Sequence, residues 1–173
     1  MSHCKKASKS LRALYELADI ICSAILLVAV LFTFALRFAG VVGTSMVPTL
    51  EDGQRLMITA IAGNLRHGDI VVVSEAGTQL SDVIVKRVIG LPGDVIDIDF
   101  DARTVSRNGE ILDEPYINAP IERRGDVVFP VAIETGAVFL LGDNRNESQD
   151  SRNSTVGQVD QRFVMGRVIY PRK

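Results

Sequence analysis

Residues 43–50 read Gly43-Thr44-Ser45-Met46-Val47-Pro48-Thr49-Leu50, and they divide the chain into two unlike parts. Before them lies a long apolar run; after them short apolar stretches alternate with turns. Gly43 permits a close backbone approach. Pro48 fixes its own φ and pushes Val47 into an extended conformation. Ser45 therefore sits on a tight, exposed turn at the entrance to the β-patterned part. A serine in that setting is an ordinary turn residue unless the rest of the chain brings a base to it.

Upstream, residues 1–19 carry Lys5, Lys6, Lys9 and Arg12, with Glu16 and Asp19 nearer the apolar run. Ile20–Leu36 holds no charge. As a helix it spans about 26 Å, slightly short of a ~30 Å hydrocarbon core. Continuing to Ala39, with Arg37 snorkelling to the far interface, makes up the difference. The organisation expected is a cytoplasmic tail over 1–19, a transmembrane anchor over 20–39 and an extracytoplasmic domain over 40–173, oriented by the basic residues before the run. Thr33-Phe34-Ala35 also passes as a small-x-small cleavage site of a removed signal peptide. Arg37 directly behind it and the length of the run favour a retained anchor. A buried helix of a soluble domain is disfavoured, because the run is apolar all round.

Downstream the pattern is β. Strands are expected at Gln54–Ile61, Ile70–Ser74, Val83–Ile89, Val95–Phe100, Thr104–Arg107, Glu110–Leu112, Val127–Ile133, Ala137–Leu141 and Phe163–Tyr170. Gly90-Leu91-Pro92-Gly93-Asp94 is a strong turn signal. Asn108-Gly109 predicts a hairpin with a type I′ turn. Val95–Phe100 alternates apolar and acidic residues, as a half-buried strand does. No amphipathic helix is evident beyond residue 43. The fold class expected is mainly β: an antiparallel folded-sheet or barrel-like domain behind one N-terminal transmembrane helix.

Composition removes several kinds of function. A net charge of −2 offers no basic surface to nucleic acid. The cysteines, Cys4 and Cys22, precede the β part, which therefore has neither a disulfide nor a thiol nucleophile. The histidines are His3 and His67, too few for an ordinary zinc site, and no metal or other cofactor is expected.

A base for Ser45 must come from what remains. His67, in Arg66-His67-Gly68-Asp69, reads as a turn residue. Lys86, within the apolar stretch Val83–Ile89, is either an edge lysine facing solvent or a buried amine. Only burial makes it useful. At an ordinary pKa near 10.4, roughly one lysine in 2,500 is neutral at pH 7, and a working base needs a pKa lower by about 2–4 units. Apolar surroundings do this to lysine and not to arginine. Serine paired with lysine is an established form of nucleophile and base. A third stretch, Leu141-Gly142-Asp143-Asn144-Arg145-Asn146-Glu147-Ser148-Gln149-Asp150-Ser151-Arg152, reads by itself as a polar loop after a strand. It is dense in orienting groups: Ser148 as an acceptor from lysine, and Asp150 with Arg152 as an ion pair.

Taken together, an N-terminal anchor, Ser45–Leu50, Arg66–Val71, Lys86–Asp94, Gly142–Arg152 and a closing Gly157 and Gly166-Arg167 resemble, in order, the sequence boxes of bacterial type I signal peptidases, membrane-bound Ser–Lys enzymes. The resemblance implies Ser45 as nucleophile, Lys86 as general base and Ser148 as the residue that orients Lys86. It implies an ionic scaffold of Asp150, Arg152, Arg87 and Asp143. Shallow S1 and S3 pockets would be lined by Met46, Val41, Val42, Leu50, Ile84 and Val85, which implies cleavage after small residues at −1 and −3. The implied partners are signal peptides of exported preproteins and membrane lipid, at the bacterial cytoplasmic membrane. Phe129, Pro130 and Val131 are candidates for dipping into the interface.

Two departures accompany the resemblance. Many Gram-negative relatives carry an oxyanion-binding serine where this chain has Gly43, which leaves the Ser45 backbone N–H, with water, for that task. Loss of one oxyanion donor costs ~10²–10³ in rate where nothing replaces it. The interval from Asp94 to Gly142 also leaves little room for the large extra β domain of longer members. Two other readings compete: a dedicated pilin-processing peptidase of conjugation systems, and a catalytically silent anchored domain that binds exported chains. A soluble autoproteolytic repressor is excluded by the apolar run.

Overall fold

The computed structural model describes residues 2–34, 36–59 and 64–171. It divides into two compact units, Met1–Arg37 and Phe38–Lys173. The first unit holds helix α1, Ser2–Phe34. Within it Leu11–Val30 is long and apolar enough to cross a membrane, with a mean hydropathy of 2.1. The helix does not continue to Ala39. Leu36–Gly40 is instead strand β1, so Arg37 lies in a strand and not on the last turn of a helix. Gly40 and Gly43 are poor helix residues, and a sheet edge at β2 (Arg55–Thr59) takes the backbone there. Ala35 of the possible cleavage site lies outside the described residues.

The β part consists of two open sheets. β3 is Ile70–Val73, β4 Ile84–Gly90, β9 Ala137–Leu141, β10 Val159–Asp160 and β11 Val164–Tyr170. With β1 and β2 they form a seven-stranded sheet in the order β1-β2-β11-β3-β4-β9-β10. The second sheet has four strands in the order β7-β6-β5-β8, where β5 is Val95–Asp99, β6 Thr104–Arg107, β7 Glu110–Ile111 and β8 Val131–Ala132. The strands pair antiparallel. The barrel-like alternative is corrected: the large sheet ends on β1 and β10, and no pairing joins those edges. Closure of a barrel requires such a pairing.

The central strands show why their sequences do not alternate. β3 and β9 are buried along their whole length. Val71 and Val73 face one core cluster, and Ile70 and Val72 another. Val138 and Leu140 join the first of these, while Phe139 and Leu141 pack under the second sheet with Ile89, Ile96 and Ile98. A strand covered on both faces is apolar at every position. β5 has one wet face and alternates as expected, with Ile96 and Ile98 buried and Val95, Asp97 and Asp99 exposed. The turn at Leu91–Asp94 carries the chain from one sheet to the other. Gly93 takes φ +89° there, and the Asp94 carboxylate accepts from Leu91 N–H.

The hairpin between β6 and β7 has the expected two-residue loop, with Asn108 at φ 56° and Gly109 at φ 84°. Gln54–Ile61 shortens to β2, and residues 60 and 61 lie outside the described set. Val127–Ile133 shortens most, to β8. Its Val127 N–H is drawn away to the Arg152 carbonyl, and Pro130 has no N–H to give. Phe129 is not free to enter a membrane interface, since its ring packs edge-on against Phe100 and Phe139. Among the described residues beyond Gly43 the only helices are single 3-10 turns, Glu75–Gly77 and Gln161–Phe163.

Candidate active site

Ser45 lies on the turn that follows β1, and Lys86 is the third residue of β4. The structure brings them together: Lys86 Nζ is 2.7 Å from Ser45 Oγ and 3.1 Å from the Val85 carbonyl oxygen. Strand alternation gives Lys86 the same face as Ile84 and Val88, both packed in the core under β3. Lys86 is consequently the buried amine and not the edge lysine, with 3% of its surface exposed. Burial pulls its pKa down from 10.5 to about 8, against the attraction of Asp150 and Asp143 and with help from Arg152. At that pKa roughly one lysine in ten is neutral at pH 7. His67 is elsewhere, half-exposed and 2.7 Å from Asp94 at the turn between the sheets.

Two buried ion pairs lie beneath the site. Arg87 Nε donates to Asp143 Oδ1 at 2.8 Å, and Arg152 engages both oxygens of Asp150 at 2.8 and 2.9 Å. Asp150 also accepts from the Gly142 N–H at 3.0 Å, which fixes the start of the loop that faces Ser45. Thr49, just after the nucleophile turn, donates its hydroxyl to Asp143.

Ser148 departs from expectation. It is buried, yet among the described residues its Oγ has no hydrogen-bond partner, and it does not hold Lys86. The Lys86 amine is engaged by Ser45 Oγ and the Val85 carbonyl instead. Ser148 Oγ packs over Gly142, where an added Cβ would collide with it and with the Ser45 carbonyl oxygen.

A cleft of about 760 Å³ opens over Ser45 and Lys86. Val41, Val42, Met46, Ile84 and Val85 line it. Leu50 does not. It is fully buried in the cluster beneath the turn with Leu56, Ile58 and Ile70, so its role is to support the turn. Among the described residues, one wall of the cleft is an unpaired strand edge. β3 pairs β4 from Ile84 to Arg87, whereas β9 pairs it only from Arg87 onward.

Several residues were not singled out from the sequence. Arg145 is fully buried and pairs with Glu114. Tyr116 lays its ring 4.0 Å from the Arg87 guanidinium. Asn118 donates to Asn144 at 2.8 Å, and Asn144 in turn holds the Thr44 and Ser45 carbonyls. Glu114, Tyr116 and Asn118 stand at alternate positions of one segment after β7 and reach three residues of the site region. The only sequence signal was that spacing of two in an otherwise irregular loop.

A serine hydroxyl held by a buried amine, on the floor of a cleft with an open strand edge, is the arrangement of a serine peptidase. The model of the signal peptidase family, peptidase S26, matches residues 14–171. Signal peptidase I of Bacillus licheniformis is 35% identical, with 94% of this chain and 90% of the relative aligned. Signal peptidase I T of Bacillus subtilis (strain 168) is 33% identical over 94% of this chain and 86% of its own length. Signal peptidase IB of Staphylococcus aureus is 36% identical over 74% of this chain and 73% of its own length. The chain belongs to the signal peptidase family, peptidase S26.

Proposed function

We propose that this chain removes signal peptides from exported preproteins by a Ser–Lys dyad. The observation that carries the reading is the 2.7 Å approach of Lys86 Nζ to Ser45 Oγ, with the lysine buried. Neutral Lys86 accepts the Ser45 proton. Ser45 Oγ bonds to the scissile carbonyl carbon, and the carbonyl oxygen becomes the oxyanion. Protonated Lys86 returns a proton to the leaving amine, and then, neutral again, activates the water that hydrolyses the acyl-enzyme.

The substrate lies extended along the open edge of Ile84–Lys86, as a strand added to a sheet. Val41, Val42, Met46, Ile84 and Val85 then meet its alternate side chains, and room for only small ones gives the preference at −1 and −3. Asp150–Arg152 and Arg87–Asp143 hold the catalytic loop. Helix α1 anchors the chain in the bacterial cytoplasmic membrane, N-terminus inside, with the β domain on the outer face. General preproteins rather than dedicated pilins are the substrates, because the complete Pro48-Thr49-Leu50 and Gly142–Arg152 stretches match the general enzymes.

The test is cleavage of a preprotein with an Ala-x-Ala site by the full chain in detergent. Cleavage after the second alanine, lost in Ser45→Ala and in Lys86→Met, is the expected outcome. Wild-type activity on pilin precursors alone would move the assignment to the dedicated enzyme, and cleavage that survives Lys86→Met would overturn the dyad.

A further inference from the structure

We propose that Asn144, locked by Asn118, is a positioning residue that aims the Ser45 backbone N–H at the oxyanion; this rests on the Ser–Lys reading above. The Thr44–Ser45 peptide is a rigid trans unit, so fixing its carbonyl fixes the opposite direction of its N–H. The Thr44 carbonyl oxygen accepts from Val47 N–H at 3.1 Å within the turn and from Asn144 Nδ2 at 3.1 Å from outside it. Asn144 also donates its backbone N–H to the Ser45 carbonyl at 3.0 Å, so it grips the peptide groups on both sides of the Ser45 Cα. Among the described residues, nothing accepts from the Ser45 N–H itself, and Ser45 and Thr44 both line the cleft. That N–H is a free donor on the nucleophile itself, whereas Gly43 brings no side chain and spends its own N–H on Asp52 at 2.8 Å.

The side-chain amide of Asn144 works only in one orientation, with nitrogen toward Thr44. Asn118 sets it by donating Nδ2 to Asn144 Oδ1 at 2.8 Å. An amide turned over would present Oδ1 to the Thr44 carbonyl and its NH₂ to the Asn118 NH₂, so both contacts would become repulsive. The Asn144 carbonyl is occupied as well, by the N–H groups of Glu147 and Ser148. Asn144 therefore has no slack, and the nucleophile turn is tied through it to the segment after β7. In the acylation step the Ser45 Oγ–carbon bond forms as the carbonyl π pair moves to oxygen and the Ser45 proton moves to Lys86. The aimed N–H meets charge that exists only in that transition state, so the contribution belongs in kcat.

The test uses the full chain in detergent, with wild type, Asn144→Ala and Asn118→Ala. Three quantities are read: kcat and KM on an Ala-x-Ala preprotein, inhibition by a peptide aldehyde ending in alanine, and the thermal midpoint. The aldehyde forms a tetrahedral adduct with Ser45 whose oxygen occupies the oxyanion position. Expected is a kcat lower by about 10–100-fold in Asn144→Ala and about 3–10-fold in Asn118→Ala, below the ~10²–10³ of complete donor loss because the Val47 bond remains. KM and the acid limb of the pH profile stay as in wild type, and aldehyde affinity falls by the same factor as kcat. A kcat within about twofold of wild type in both variants, a loss confined to KM, or an unchanged aldehyde affinity overturns the positioning role. If Asn144→Ala does not fold, Asn118→Ala, altered at an exposed residue, decides alone. A wild-type chain that does not cleave sinks the Ser–Lys reading and this inference together; cleavage with unaffected variants sinks this inference only.

Discussion

Asp150 and Arg152 form a closed pair, with Arg152 Nε 2.8 Å from Oδ1 and Nη2 2.9 Å from Oδ2 of the carboxylate. Both are buried beside Lys86. Asp150 is the largest single charge holding the Lys86 pKa up, and Arg152 offsets it. The pair thus fixes the loop, and its arginine limits how far Asp150 raises the Lys86 pKa against the lowering by burial.

Replacing Arg152 by alanine removes the offsetting cation and leaves Asp150 charged in the interior. The Lys86 pKa then rises above about 8, and the acid limb of log(kcat/KM) against pH moves toward alkali. Stability falls as well, by about 3–5 kcal/mol for a broken buried pair. A pH–rate profile of the variant that coincides with wild type would refute the electrostatic part of this account.

Buried Lys86 lowers the stability of the fold at neutral pH. Its folded pKa of about 8 lies below the unfolded value of 10.5, so below pH 8 both states hold the proton and the fold bears the desolvation. Between pH 8 and 10.5 the unfolded state alone holds it, and stability rises with pH. Lys86→Met, similar in shape and uncharged, is expected to be more stable than wild type at pH 7, by about 1–3 kcal/mol from a shift of this size. That advantage shrinks as pH climbs through the window. Thermal unfolding at pH 7 and pH 10.5 checks both statements, and a less stable Lys86→Met at pH 7 would contradict them.

Gly142 is a steric requirement of the site. A Cβ there meets Ser148 Oγ and the Ser45 carbonyl oxygen, both parts of buried or anchored segments. Gly142→Ala should lose most activity, on the order of 10²-fold or more, since small displacements between reacting groups are that costly. Cleavage assays with circular dichroism as a check on folding would show it. Near-wild-type turnover would mean that the loop yields more easily than its contacts imply.

Glu114→Ala isolates a different element. It leaves Arg145, with no exposed surface, without its carboxylate. The expected loss is about 3–5 kcal/mol, and chemical denaturation should read it as a lower midpoint. A midpoint unchanged within error would show that Arg145 finds water or another acceptor.

Much of the fold was legible because local rules acted undisturbed. Asn108-Gly109 specified its turn, and the alternation of Val95–Phe100 marked a strand with a single wet face. Val127–Ile133 misled because its apolar residues are claimed one at a time, Phe129 by a ring cluster and the Val127 N–H by Arg152. Leu36–Gly40 misled because apolarity does not separate the end of a helix from an edge strand; the neighbouring β2 decides it. At the site, Ser45 and Lys86 were readable as chemical types, one a turn serine and the other a lysine in an apolar strand. Asn118, Glu114 and Tyr116 were not, because their partners lie 26, 31 and 29 positions away in sequence (Tyr116 to Arg87 counted directly), and only tertiary packing joins them.

The central claim is that Lys86 is the base for Ser45, and the pH dependence of kcat/KM for an Ala-x-Ala preprotein tests it most directly. The account predicts a unit-slope rise that levels off near the Lys86 pKa of about 8, persists in His67→Ala and vanishes with all activity in Lys86→Met. A rise that levels off below pH 7 and disappears in His67→Ala would contradict it.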